Sequence, residues 1–551
     1  MAMAMASATV CAGVRGRARA VATRRVGAER AQSAIDGARL LTRSTTRLST
    51  SAPRTHTRCA VTADGRSSAR VDGDEDDEKE EDDAFYTWRV GGANDLKITH
   101  LRDVYRGEKP LKAIPSPFCT KSSCPLTVGP RTSLTYNRTF VSNNDRILLN
   151  SVAFGSAADP NATCSIQDDI FDESGCDYMP EWVMRAGPRS EIYFEPSEVH
   201  AAIVTCGGLC PGINDVIRSI VNTLESGYGV KKISGIRYGF KGFFDPKSEP
   251  MVLNRKVVQN IHHIGGSILG SGRGGGDVEK IVESVIARGI NMVFVIGGNG
   301  SHAGANAISQ ECAKRGVKVS VVGVPKTIDN DILLLDKTFG FDTAVEEAQK
   351  AIQAAAIEAQ SAYRGVGVVK LMGRQSGFIA MFATLANGQV DCCLIPEVPF
   401  TVHGPNGVIE YVRNLLDTQG HAVIVLAEGA GQEYVAIEGT DAGGNPKLGD
   451  IGQWFCKQLK SEIKCDVKYI DPTYMVRGCV ANAHDSIMCT VLGQNAAHGA
   501  FAGFTGISVG SVSAHTAFLP IPRMIERERL VDPEGRMYHR ALSATGQPDF
   551  H

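Results

Sequence analysis

"MVFVIGGNGSHAGANAISQECAKR", Met292 to Arg315, decides the fold. A short apolar run, the length of a strand, ends in the glycine turn Gly297–Ser301 and opens directly into helical texture. Buried strand, glycine turn and helix in that order make half of a βαβ unit. The order recurs on either side. "AAIVTC" (201–206) precedes "INDVIRSIVNTLES" (213–226), and "VKVSVVGVP" (317–325), "VGVVKLMG" (366–373), "DCCLIPE" (391–397) and "HAVIVLAEG" (421–429) follow with helices between them. In "VEKIVESVIARG" (278–289), Val278, Ile281, Val282, Val285 and Ile286 share the face of an amphipathic helix. These strands are too many for one sheet of average size. The spacing therefore predicts an α/β protein with two Rossmann-like, doubly wound lobes and parallel sheets.

Composition sets limits around that centre. The chain has 551 residues and is 43% hydrophobic, enough for more than one domain. No uninterrupted apolar stretch reaches the ~18 residues of a membrane-spanning helix, so no membrane partner is expected. Residues 1–60 carry eleven arginines against only Glu29 and Asp36, and are rich in Ala, Ser and Thr. That composition suits a transit peptide, with a basic nucleic-acid-binding arm as the alternative. A plastid destination is expected, with mitochondrion or cytoplasm as alternatives. Taking that net +9 from the whole-chain formal charge of −2 leaves −11 on the rest. So acidic a body argues against nucleic acid as a partner. "DGDEDDEKEEDD" (72–83) reads as solvated, within a disordered linker over 61–90. Residues 91–195 read as an N-terminal extension and 196–551 as the catalytic region.

In parallel sheets ligands lie beyond the carboxyl ends of the strands. The strand ends here are "CGGLCPG", "GGNGS", "PKTIDND", "MGRQSG" and "AEGAG". Gly208 leaves room for an anion to approach backbone amides, and Gly298, Asn299, Gly300 and Ser301 open a helix as a phosphate cradle would. "GSGRGGGD" has the G-x-G-x-x-G spacing at Gly270, Gly272 and Gly275, but no acid follows about twenty residues on, so nicotinamide binding is rejected. Arg273, with Gly274 beside it, suits a clamp on phosphates instead. In "PKTIDND" one carboxylate can take a proton from an attacking hydroxyl, a second can hold Mg²⁺ or its waters, and Lys326 can neutralise the transferred group. Arg374 stands on another loop of the same face. Glu428 suits sugar hydroxyls, while Tyr474 and Arg477 suit a fixed phosphate. Cys206 and Cys210 flank a Gly-Gly turn and read either as reduced thiols near a site or as a redox switch. Cys392 and Cys393 read as core thiols.

With these motifs in order, and with "KTFGFDTAVEEAQ" (337–349) and the terminal "TGQPDF" (545–550), the chain resembles the 6-phosphofructokinases, most closely the plant-type ATP-dependent branch. The resemblance spans roughly residues 195–551. It implies two Rossmann-like lobes with the active site between them and a homotetramer. It implies fructose 6-phosphate and ATP as partners, with Mg²⁺ as cofactor. It makes Asp329 the base for the fructose 1-hydroxyl, with Asp331, Lys326 and Arg374 beside it in catalysis. Thr327, Ile328, Met372, Gly373, Arg374, Glu428, Tyr474 and Arg477 match the sugar-phosphate positions. Gly208, Arg273, Gly274 and Gly298–Ser301 match the nucleotide site, with Asn299 and Asp331 at the metal. Asn299 departs from the family's usual aspartate and is the weaker ligand. Gly300 is what ATP users carry, while Lys326 is what pyrophosphate users carry. Glycine leaves room for the nucleotide, so ATP is expected. A pyrophosphate-dependent enzyme and a catalytically weak regulatory subunit are the alternatives.

Overall fold

The structure, a computed structural model, describes residues 95–107, 110–118, 140–149, 181–436, 439–440 and 446–550. The expected transit segment and acidic linker lie outside the described residues, as does much of 91–195.

The chain builds a first lobe from β1 (Arg146–Leu148), β2 (Trp182–Arg185), β3 (His200–Thr205), β4 (Lys232–Ile236), β5 (Met251–Val252), β6 (Met292–Gly297) and β7 (Ser320–Pro325). It crosses to a second lobe for β8 (Gly365–Leu371), β9 (Cys392–Leu394), β10 (His421–Ala427) and β11 (Asp466–Ile470). It then returns to the first for β12 (Ile507–Val512) and β13 (His515–Pro520). Among the connecting helices are α1 (Ile213–Asn222), α2 (Val278–Ala287), α3 (Asn299–Lys314), α4 (Phe341–Ser361), α5 (Phe378–Asn387) and α6 (Ala483–Phe501).

The second sheet has the order β9-β10-β8-β11 and is parallel throughout. The first has nine strands in the order β1-β2-β13-β12-β7-β6-β3-β4-β5. Its inner strands, β12 to β4, are parallel, and the flanks are antiparallel. The first sheet is thus mixed where only parallel pairing was expected. The reason is a hairpin: β12 and β13 pair through the two residues Ser513 and Ala514, both with positive φ. Strands β1 and β2, from the segment read as an extension, join the same edge.

Every residue of β6 is buried, which explains its unbroken apolar run in place of alternation. From β3 the chain passes to β4 on one side and to β6 and β7 on the other, so the switch point falls between β3 and β6. Register then fixes the site. Thr205 pairs with Ile296 and Gly297 with Pro325, so Gly207, Gly298 and Lys326 leave the sheet at one level. In the second lobe Leu371 pairs with Ala427, which brings out Met372 and Glu428 together, and Val369 pairs with Ile470, which sets Asp471 level with Lys370, 2.9 Å from its Nζ.

Candidate active site

The turn after β7 divides its labour among three adjacent Asx residues. Asn330 takes the structural part. Its backbone is left-handed (φ 57°), it is buried, and its Oδ1 accepts the Thr338 N–H at 3.0 Å. Thr327 Oγ1 accepts the Asp329 N–H at 3.1 Å, and Ser376 Oγ donates to the Asp329 carbonyl at 3.1 Å. With the backbone so held, the carboxylates are spared. Asp329 Oδ1 and Asp331 Oδ1 are buried with no hydrogen-bond partner. Burial pushes the Asp329 carboxyl above its usual range, and Asp331 and Glu428 add to this against Lys326 and Arg374. Asp331 is also raised by burial, against a hydrogen bond from Thr327. Two acids that share a confined space are held as stronger bases than free carboxylates.

Lys326 is buried, and its Nζ donates to the Gly208 carbonyl at 2.8 Å. Burial lowers its pKa against the opposing pull of Cys210 and Asp329. The glycine at 207 has φ +87°, and a Cβ there would lie 3.3 Å from Lys326 Nζ. The positive φ calls for glycine, and its missing Cβ leaves the lysine head uncrowded. A Cβ at Gly208 would stand 3.7 Å from both Arg273 Nη2 and Arg477 Nη1, which shows two arginines converging over this turn. Arg273 and Gly274 are otherwise exposed, with Gly274 at φ 71°.

Helix α3 starts at Asn299 behind Gly298 with no side-chain cap, whereas α2 starts behind Asp277, whose carboxylate caps the Lys280 N–H. Apart from its own helix backbone and chain neighbours, no atom lies within 4 Å of a Cβ built on Gly300. An uncapped helix start with open space before it is a ready anion site. Ser301 turns back, its N–H donating to the Gly298 carbonyl at 2.9 Å. Asn299 Nδ2 donates to the Asp331 carbonyl at 3.4 Å, and Asn299 Oδ1 is a third buried oxygen without a partner. Three unpaired oxygens on neighbouring loops fit a hard divalent cation.

The second lobe faces these turns with charge. Arg374 Nη2 donates to the Pro446 carbonyl at 2.7 Å, and its charge lowers both Asp329 and Glu428. Glu428 is raised chiefly by burial, with Arg374, Lys370 and Arg477 opposing. Arg477 lies over the Tyr474 ring at 5.0 Å, and Tyr474 is 77% exposed. Gly373 takes φ +131° and accepts the Gly429 N–H at 3.0 Å, which ties the two loops together. Met372 packs partly against the core, and Ile328 is buried in it. Thus the Ile328 side chain belongs to the core.

Sequence reasoning missed three residues. Ser376 holds Asp329 from the other lobe. His302, buried and neutral, has Nδ1 3.1 Å from the Gly298 carbonyl and Nε2 2.9 Å from Ser508 Oγ, behind the cradle. Burial lowers its pKa to about 4. Glu528 comes from the far end of the chain, where its carboxyl feels Asp331 and Arg374. The sequence shows only their places, His302 in the first turn after "GGNGS" and Ser376 within "MGRQSG", and nothing local points to Glu528.

Glycine turns, a buried acid pair and Arg273 on one lobe, with Arg374 and Arg477 on the other, make the kind of site that can take a phosphorylated ligand between two α/β lobes. A family profile described as "Phosphofructokinase" matches residues 200–500. An ATP-dependent 6-phosphofructokinase 5, chloroplastic, of Arabidopsis thaliana is 56% identical over 475 residues, covering 84% of this chain and 86% of the relative. The ATP-dependent 6-phosphofructokinase of Borreliella burgdorferi is 44% identical, covering 68% and 88%. In fold, the pyrophosphate-dependent phosphofructokinase of Marinobacter aquaeolei superposes with a TM-score of 0.53 at 20% identity, over 64% of this chain and 92% of that one. The chain belongs to the phosphofructokinase family.

Proposed function

We propose that the protein is an ATP-dependent 6-phosphofructokinase. The observation that carries this is the acid pair Asp329 and Asp331, with unpaired buried oxygens between the uncapped start of α3 and the arginines of the second lobe. In this reading the 1-hydroxyl oxygen of fructose 6-phosphate bonds to the γ-phosphorus as the β,γ-bridging bond breaks. The hydroxyl proton passes to Asp329, and ADP departs with the bridging oxygen. A carboxylate raised toward working pH is the better proton acceptor. Gly208, Arg273, Gly274 and Gly298–Ser301 hold the nucleotide. Thr327, the Ile328 backbone, Met372, Gly373, Arg374, Glu428, Tyr474 and Arg477 hold the sugar phosphate. Lys326 keeps the glycine turn in place and adds positive charge beneath it. Asn299 and Asp331 would hold Mg²⁺, which when bound neutralises phosphate charge.

ATP is favoured over pyrophosphate by the open space at Gly300 and by the names of the relatives. The Arg-rich start suits a plastid transit peptide, testable by fusing residues 1–60 to a fluorescent protein, and a homotetramer is expected in solution. The decisive test is fructose 1,6-bisphosphate formation from fructose 6-phosphate and Mg²⁺ with each donor. Turnover with ATP supports the proposal. Turnover with pyrophosphate alone replaces the donor. Binding without turnover favours a regulatory subunit.

A further inference from the structure

The C-terminal stretch after β13 leaves the first lobe and returns to the catalytic turn. Ile332 and Glu528 form an antiparallel bridge, and the Arg529 N–H donates to the Asp331 carbonyl at 2.9 Å. The Arg529 guanidinium donates to the Asp336 carbonyl at 3.0 Å, further along the same turn. That guanidinium also lies 4.9 Å from the ring of Phe378, the first residue of α5 in the second lobe. Two residues on, the Val531 N–H donates to Glu397 Oε1 at 2.8 Å. Glu397 in turn accepts the Gly377 N–H at 2.9 Å, at the end of the loop that bears Arg374. Four residues of peptide therefore touch the acid turn of one lobe and, through Glu397 and Phe378, reach the end of the arginine loop of the other.

We propose that Glu528–Val531 is a positioning strap that fixes the Asp329–Asp331 turn of the first lobe against the Arg374 loop of the second, with Arg529 as its central residue. The proposal rests on the kinase reading for its catalytic consequence and on geometry alone for the coupling. Small errors in the relative placement of reacting groups reduce turnover more than they reduce binding. The strap reaches the site itself, since the Glu528 carboxyl, raised by burial, also senses Asp331 and Arg374. Arg529 touches no phosphate in this account. It acts through the turn and through Phe378.

The test is Arg529→Ala in the full chain, with the wild type run alongside. The expected result is kcat down about tenfold, with KM for ATP and for fructose 6-phosphate each within about threefold. Arg529→Lys, which keeps the charge over the ring, recovers part of the loss. A folded Ala variant with wild-type kcat overturns the strap. If the Ala variant does not fold, Arg529→Lys decides: lowered kcat at unchanged KM supports the strap, and wild-type kcat overturns it. Hydrogen exchange separates the strap from the kinase reading. If the wild type is inactive, that reading fails alone. Faster exchange at both Thr338 and Gly377 in the variant still supports the strap, and unchanged exchange at either refutes it.

Discussion

The helix starts of the two lobes differ, and under the proposed function that difference divides the anionic ligands between a mainly backbone cradle and a mainly side-chain one. In the first lobe α3 begins bare, with Gly298 before it and open space at Gly300. In the second lobe α5 begins closed, because both oxygens of Glu397 accept the Gly377 N–H. A carboxylate seated on a helix N-terminus excludes another anion from that place. In the proposed function the second lobe holds its phosphate with the side chains of Arg374 and Arg477, whereas the first lobe adds Arg273 and Lys326 to a backbone cradle. Backbone cradles are indifferent to most substitutions outside glycine, whereas arginine forks are exposed to every change in the side chain. The two lobes should consequently fail in different kinetic constants.

The largest effect should come from the turn between them. Asp329→Asn keeps the shape of the side chain and removes the proton acceptor. Turnover should fall ~10²- to 10⁴-fold, with KM for both substrates changed little. Steady-state kinetics with ATP and fructose 6-phosphate reads it. A variant that keeps more than a tenth of wild-type kcat would move the base to another residue and leave the turn as an electrostatic frame.

The next effects are a reciprocal pair. Arg477→Ala should raise KM for fructose 6-phosphate about tenfold or more, and leave KM for ATP within about twofold. Gly300→Glu should do the reverse, since an added carboxylate at a bare helix start repels phosphate and fills the open space. Its KM for ATP should rise by about tenfold at unchanged KM for the sugar phosphate. If both constants move in both variants, the division between lobes is wrong, and the ligands share one set of groups.

The legibility of the sequence followed the same physics. β6 and β10 are buried on both faces, so their apolar runs announced parallel strands, and the glycines after them announced the site. The β12–β13 hairpin was not announced. "VSAH" carries none of the Asn-Gly chemistry that usually supplies two positive φ values, yet Ser513 and Ala514 adopt them. Asp336 explains how: its carboxylate accepts the Ser513 and Ala514 N–H groups at 3.0 and 2.9 Å, from 177 and 178 residues away. Such support is invisible to any local reading. Glu528 and Ser376 were missed for the same reason. The acid turn itself was legible as chemistry because three Asx residues exceed what one turn needs. Which of them was structural waited for the bond from Thr338 to Asn330.

The smallest effect concerns the thiols at the glycine turn. Cys206 and Cys210 flank the same Gly-Gly pair that Lys326 supports, so oxidation there would strike the nucleotide side directly. Both side chains are buried. Burial pushes the Cys206 thiol up to about 12, and raises Cys210 well above its ordinary value despite the Lys326 charge nearby. The reactive species is the thiolate, and it is almost absent at neutral pH for groups so placed. Cys210 is moreover engaged, its Sγ donating to the Phe339 carbonyl at 3.2 Å. Treatment with a mild thiol oxidant, followed by assay and mass analysis of peptide 206–210, should leave activity within about 20% and both thiols reduced. Oxidation at Cys206 or Cys210 with loss of ATP affinity, reversed by a dithiol, would mean that the turn opens in solution. The bare start of α3 would then be a gated cradle, and the contrast between the lobes would be one of mobility as well as chemistry.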